Sequence, residues 1–321
     1  MISYLFRRLN LLVITGFILT IISFMLTLWS NDTGIERYDY IDHYISYMSD
    51  IFNGDWGTSK IDQQPLLEEA MIAFASTLEL CFLACITATI IGLPLGVIAG
   101  LKRNGLIDYT IMTVALVGLA LPVFWLAILF ILIPVSLGIS IPVDGHLSPI
   151  YEIPVVSGFL LIDTIFASDI YHLDAFFDRL AHLILPSSVL SFFLITEIIR
   201  LTRHSISHVM ECNYIKAAYA NGLSKTQIVF RHGLKNALPP ILPQIIIQLS
   251  TIISFAMAIE IVFSSEGIGV WLYNSITVGD YLVLPVALLI ISFFILLSNI
   301  AIDILIMIIS PIKRKSLYAN K

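Results

Sequence analysis

A chain of 321 residues that is 58% hydrophobic and 12% charged, with a mean hydropathy of +0.93, excludes an ordinary soluble domain, in which about a quarter of residues carry charge. So much apolar surface requires lipid as its solvent, and the same figures exclude disorder, a coiled coil and a disulfide-rich secreted scaffold. The formal charge of −6 averages two unlike faces and points to no nucleic acid; Cys81, Cys85 and Cys212 make no disulfide framework.

A bilayer core about 30 Å thick takes roughly 20 apolar residues per helix. Six runs reach that length: residues 9–29, 75–101, 109–137, 181–199, 241–263 and 283–309. The expected fold class is an all-α polytopic membrane protein with six transmembrane helices. The first run follows Arg7 and Arg8, but it is too long for the apolar stretch of a secretory signal. No small-residue cleavage site ends it at Leu28-Trp29-Ser30, so it reads as an uncleaved span. After it, Tyr40, Ile41, Tyr44, Ile45, Met48, Ile51 and Phe52 recur at helical spacing among acids. That pattern predicts a short amphipathic helix at the outer membrane–water boundary, packed against helix ends rather than touching cargo. Asn53-Gly54-Asp55-Trp56-Gly57 reads as a turn. Two long outer segments, about 30–74 and 138–180, and one long inner segment, about 201–240, join the spans. The natural division is a first span with its outer segment (1–74) and a five-span core (75–321) that contains the inner segment.

Lysine and arginine set the orientation. With the N-terminus inside, inner segments hold 14 of the 17, and outer segments hold only Arg37, Lys60 and Arg179. The outer stretch 32–69 alone carries nine of the 23 acidic residues. Both termini are expected on the cytoplasmic side.

Within the spans, Glu79, Glu197, Glu260 and Asp303 fall toward the ends, and no ionisable residue stands at a midplane. A charge there would cost roughly 2.5–3.5 kcal/mol and usually marks an ion or proton relay. This distribution disfavours an ion-coupled secondary transporter. An intramembrane enzyme would need paired acids or a nucleophile motif at depth, and neither is present. Gln244, Gln248 and Thr251 share one helix face, as do Ser292, Asn299 and Asp303. Such faces turn inward in lipid, either to bond a neighbouring helix or to line a pathway for a polar solute. Gly92, Gly96 and Gly100 form two overlapping small-xxx-small steps, a close-packing face.

The inner segment is the most informative. Helix formers from Tyr214 to Ala220 stop at Asn221-Gly222, where glycine can take the left-handed conformation. Ser224 caps a second helix, Gln227 completes a capping box, and Leu223 and Ile228 occupy the staple positions. The expected product is an elbow of helix, tight turn and helix, kept low by Ala217, Ala218 and Gly222 and closed by Pro239-Pro240. A DNA-reading helix-turn-helix shares the spacing, but tethering by membrane spans at both ends keeps it from a major groove. No Gly-Lys dipeptide supports a Walker phosphate loop around Lys225-Thr226. His204, His208 and Glu211 have helical spacing, but no Glu follows His204, so a basic helix is preferred to a metal site. No Gly-x-Ser-x-Gly nucleophile elbow occurs.

Ala217-Ala218-x3-Gly222 resembles the cytoplasmic EAA loop of permease subunits from bacterial ABC importers. The likeness extends to the oligopeptide/dipeptide branch and runs along nearly the whole chain. It is carried by Tyr4-Leu-Phe-Arg-Arg-Leu9, Gly54-Asp-Trp-Gly-Thr-Ser59, Pro65-Leu-Leu-Glu68, Thr77-Leu-Glu-Leu80 and Gly92-Leu-Pro-Leu-Gly96. Further on come Leu121-Pro-Val-Phe-Trp-Leu126, Arg231-His-Gly-Leu-Lys-Asn-Ala-Leu-Pro239, Glu260-Ile-Val-Phe263 and Gly267-Ile-Gly269. The run from Tyr151 to Asp163 is similar to the outer segment of Sap-type permeases, a group associated with antimicrobial-peptide uptake and resistance and with putrescine export. Lys216 stands where the general motif has Glu, His232 and Lys235 replace Ile and Pro, and Ser265-Glu266 replaces a Trp-Pro pair.

The resemblance implies the transmembrane domain of a type I ABC importer in a bacterial inner membrane. Its implied partners are a second homologous permease subunit, two ABC ATP-binding subunits and a periplasmic solute-binding protein, with peptide or polyamine as cargo. ATP and Mg would be used by the partner subunits, this chain binding no cofactor or metal. Lys216, Ala217, Ala218, Gly222, Leu223, Ser224 and His232 would form the ATPase-coupling loop. Gln244, Gln248, Thr251, Ser292 and Asn299 remain candidates for the pathway, and Gly92, Gly96 and Gly100 for helix packing.

Overall fold

The computed structural model describes residues 2–31, 40–167 and 170–309. Asp32, Arg37 and the basic tail with Lys313, Arg314, Lys315 and Lys321 lie outside them, as do the side chains of Arg7, Arg8 and Asp303. Among the described residues the chain is helical, with one isolated bridge between Thr58 and Pro65.

In chain order the helices are α1 Ile2–Asn31, α2 Tyr40–Phe52, α3 Leu66–Leu101, α4 Leu106–Ala120, α5 Val123–Leu137 and α6 Leu160–Phe166. They continue with α7 His172–Glu211, α8 Asn213–Ala220, α9 Lys225–Ile228, α10 Leu234–Phe263, α11 Ile268–Val278 and α12 Val283–Ile309. Among the described residues four helices are long and apolar enough to cross a membrane alone, and the count reaches six when α4–α5 and α10–α11 are each taken as one broken span.

Three expectations are corrected. The run 109–137 is not one straight helix: it bends by 103° between α4 and α5. Leu121 precedes Pro122 and is held extended at φ −83° and ψ 133°, the conformation that a following proline ring enforces. Second, the helices outrun the apolar stretches. Helix α3 begins at Leu66 and α7 extends from His172 to Glu211, so much of the expected outer and inner segments is helix. Third, Pro239-Pro240 does not close the elbow, because α10 continues through both prolines. A neighbouring helix braces this stretch, the Ser205 hydroxyl of α7 donating to the Ala237 carbonyl at 2.9 Å, and such bracing lets membrane helices tolerate proline.

The chain divides into two compact units. The first comprises 1–79, 144–180 and 264–300; the second comprises 80–143, 181–263 and 301–321. In the first unit, α2 lies against α1. Tyr44 and Tyr47 share hydrogen bonds of 2.7 Å with Thr20 and Ser23, and Phe24 packs on both rings. Ile41, Ile45 and Phe52 are left exposed, as suits a helix that also meets lipid. Helix α12 joins them through the bond from Ser23 to the Pro285 carbonyl.

In the second unit, α7 is the central element. A Cβ placed on Gly92, Gly96 or Gly100 of α3 would come within 2.9 Å of Ile198, Thr202 or Ile206 of α7. Those glycines therefore let the two backbones approach closely, as small residues do in membrane helix pairs. Phe192 of α7 fills the hollow over Gly118 of α4, and α5 packs on α10.

Candidate functional site: the inner elbow and the outer cavities

The elbow is built from local rules. Cys212 N-caps α8, and Asn221 ends it by donating to the Ala217 carbonyl. Gly222 takes φ +83°, which glycine adopts without the Cβ penalty. Ser224 then accepts from the Gln227 amide at 3.3 Å while the Gln227 side chain accepts from the Ser224 amide at 3.0 Å. Both arms of the capping box are thus present. Beneath the turn lies an apolar cluster of Ile206, Val209, Ile215, Ala218, Ile228 and Ala237, with Leu223 and Met210 packed against it.

After α9 the chain forms a π turn, Val229–Gly233, before α10. In an unbroken α-helix, nine residues would set Ile228 and Ala237 on opposite faces, about 180° apart at about 100° per residue. The wide turn absorbs one residue, and both side chains reach the same cluster. Lys216, Ala217, Gly222 and Ser224 are exposed, Leu223 and His232 half-buried, and Ala218 buried. Tyr219 and Phe230 also face out, the latter 69% exposed.

The first unit carries a different kind of site. Glu79 and Arg179 form a buried ion pair, 5% and 1% exposed. Glu79 also accepts from the Leu161 amide at 2.6 Å, and Arg179 donates to the His146 carbonyl at 3.0 Å. The outer segment is therefore fastened to α3 and to the start of α7. Asp163 accepts from the Ser157 hydroxyl and from the amides of Ser157 and Val156. Burial pushes its carboxyl up, but these bonds outweigh burial and hold it below the usual carboxylate range. Two cavities of about 560 and 580 Å³ adjoin this segment and share Ile72, Ser76, Val155 and Glu266. Asp62, Glu69, Glu152, Asp163 and Asp280 also line them, with Tyr151 and Trp271, while His146, 3.1 Å from Glu266, is the one basic side chain among the described residues of either lining.

Against known proteins, residues 92–315 match the family model described as binding-protein-dependent transport system inner membrane component. The chain belongs to that family. It is 37% identical over 320 residues to the putrescine export system permease protein SapB of Escherichia coli strain K12, covering 99% of each chain. It is 36% identical to the peptide transport system permease protein SapB of Salmonella typhimurium over 320 residues, again 99% of each. The di/tripeptide transport system permease protein DppB of Pseudomonas aeruginosa is 36% identical, with 97% of this chain and 98% of the relative covered. Among solved structures, an inward-facing MetNI methionine ABC transporter chain superposes with a TM-score of 0.56 at 19% identity, covering 75% of this chain and 96% of that one. That likeness is one of fold, the type I ABC transporter membrane domain. The protein is a multi-pass component of an inner-membrane transport system.

In this permease the five polar candidates are divided between the two units. Gln244 and Gln248 of α10 are half-buried and Thr251 is exposed, all in the second unit; Ser292 and Asn299 of α12 belong to the first. None of them lines the cavities above. Sequence reasoning missed the tyrosines of the elbow. Tyr214 accepts from the Asn236 amide group at 3.1 Å and ties α8 to α10. Their signal was present, since Ile215 and Ala218 at i and i+3 mark the buried face and leave Tyr214 and Tyr219 outside. It also missed the ion pairing of Glu79, for which a carboxylate inside an apolar run is the available clue.

Proposed function

We infer that this chain is the membrane-spanning subunit of an ATP-driven importer of peptides, cationic ones above all. It works with a second permease subunit, two ATP-binding subunits and a solute-binding protein that delivers cargo at the outer face. ATP and Mg are handled by the partner subunits; this chain supplies the pathway and the contact through which the motor acts. The observation that carries the reading is the elbow. Its two short helices turn at Gly222 over a closed apolar seat and present Lys216, Ala217, Tyr219 and Phe230 outward, a firm surface for another protein's groove. ATP-driven closure of the motor pair would displace this seat and bias the pathway between outward- and inward-facing states. The acid-lined outer cavities favour cationic cargo.

A second reading, export of a polyamine such as putrescine, is supported by the likeness to the putrescine export system permease of Escherichia coli and fits the same acidic lining. Vesicles holding the assembled complex, offered labelled trilysine on one side or labelled putrescine on the other, separate the two by cargo and by direction. In the same vesicles Gly222→Glu should lower transport per ATP hydrolysed at least tenfold with the subunit still inserted, because a side chain at φ +83° is strained and the new charge sits on the contact surface. Wild-type coupling in that variant would remove the elbow's role.

A further inference from the structure

The elbow is rooted in α7, whose last turns supply Ile206 and Val209 to the apolar seat. One turn earlier, Arg203 meets Asp108 in the first turn of α4. The contact is two-pronged, Nε to Oδ1 at 2.5 Å and Nη2 to Oδ2 at 2.7 Å. The Asp108 side chain is 1% exposed and Arg203 is 26% exposed. Asp108 also accepts from the Asn104 amide at 2.8 Å, which fixes the corner between α3 and α4. Elsewhere α7 meets α4 through the Phe192 ring over Gly118 and a neutral bond, the Thr196 hydroxyl donating to the Ala115 carbonyl at 3.0 Å. It meets α3 through the glycine steps, the Ser207 hydroxyl on the Gly100 carbonyl and, near its start, the Arg179–Glu79 pair. Van der Waals contacts resist separation but have little directionality along the helix axis. A forked guanidinium–carboxylate pair is directional and fixes register.

Replacing a buried ion pair by an apolar pair of similar volume often leaves stability unchanged, so what such a pair adds is better sought in register than in cohesion. We propose that Asp108–Arg203 is a positioning pair of the transport step: it makes α4 follow α7 when the motor displaces the elbow. The inference deepens the elbow reading and rests on it.

The test uses the whole complex in vesicles and two readings. One is the distance between spin labels at Thr113 of α4 and His204 of α7, both exposed, in nucleotide-free and ATP-locked states. The other is cargo moved per ATP hydrolysed, with trilysine or putrescine as the probe. In the wild type the distance stays constant between states. In Asp108→Asn it should change by several ångströms and transport per ATP should fall at least tenfold. Arg203→Lys, which keeps the charge but loses the fork, should fall between, and it decides the matter if Asp108→Asn fails to insert. Either reading remaining at its wild-type value overturns the proposal. If Gly222→Glu couples normally, the elbow reading fails by itself; if Gly222→Glu uncouples and Asp108→Asn does not, only this pair is dismissed.

Discussion

The outer segment around 144–166 and the inner elbow around 212–224 are both short connections between long helices, yet they are held by opposite means. The outer segment is fastened by carboxylates. Glu79 grips Arg179 and the Leu161 amide, Asp163 grips Ser157 and Val156, and Asp178 takes the amide and hydroxyl of Ser148 at 2.7 and 2.8 Å. The elbow is fastened by aliphatic packing and a cap, while its charged residues Lys216 and Lys225 face solvent. Buried charges with full hydrogen bonding give a segment one arrangement and penalise every other. Apolar seating with free polar groups leaves a surface that can meet another protein while its base stays firm. The outer segment is thus held to one shape, and the elbow keeps an open surface over a firm base, as its proposed coupling role requires.

Breaking the charge side of that contrast should give the largest effect. Arg179→Met leaves Glu79 as an uncompensated buried carboxylate, a loss of about 3–5 kcal/mol, seen as a lower unfolding temperature and less inserted protein. The double variant Glu79→Leu/Arg179→Met should recover most of it, since the cost lies in the orphaned charge. Wild-type unfolding of the single variant would mean that the pair is not the fastening. The matching change in the elbow is one of volume. Ile215 is 0% exposed at the centre of the apolar seat, and Ile215→Ala should cost about 2–3 kcal/mol, the lower part of the usual range, because Leu223 and Met210 beside it can close in. Faster hydrogen exchange of the 213–224 amides, with the 144–166 amides unchanged, would sharpen the contrast; equal acceleration in both would erase it.

The same contrast decides what could be read without coordinates. The elbow was legible because its rules are local. The glycine stop, the Ser224–Gln227 box and the Leu223–Ile228 staple each act over five residues or fewer, and all occur where the spacing puts them. The outer fastening was not legible, because Glu79 and Arg179 are 100 positions apart, as Asp108 and Arg203 are 95 apart, and no periodicity couples such positions. Helix lengths were underestimated for a physical reason. Apolar runs measure contact with lipid, whereas the backbone ladder of α3 or α7 continues wherever neighbouring helices support it. The break at Leu121-Pro122 was available from the pre-proline rule, but uniform apolarity across 109–137 concealed it.

The smallest effect probes whether the cap or the seat dominates the elbow. Ser224→Ala removes the acceptor for the Gln227 amide and should cost about 1 kcal/mol, against the larger loss for Ile215→Ala. Helix α9 has only four residues before the π turn, too few to persist by backbone cooperativity alone. If the apolar seat holds it, exchange at Gln227 should quicken about fivefold in Ser224→Ala while the 213–220 amides keep their protection. If the cap holds it, both helices of the elbow should loosen together, and the picture of a firm seat beneath a free surface would give way to one of a hinge at Gly222.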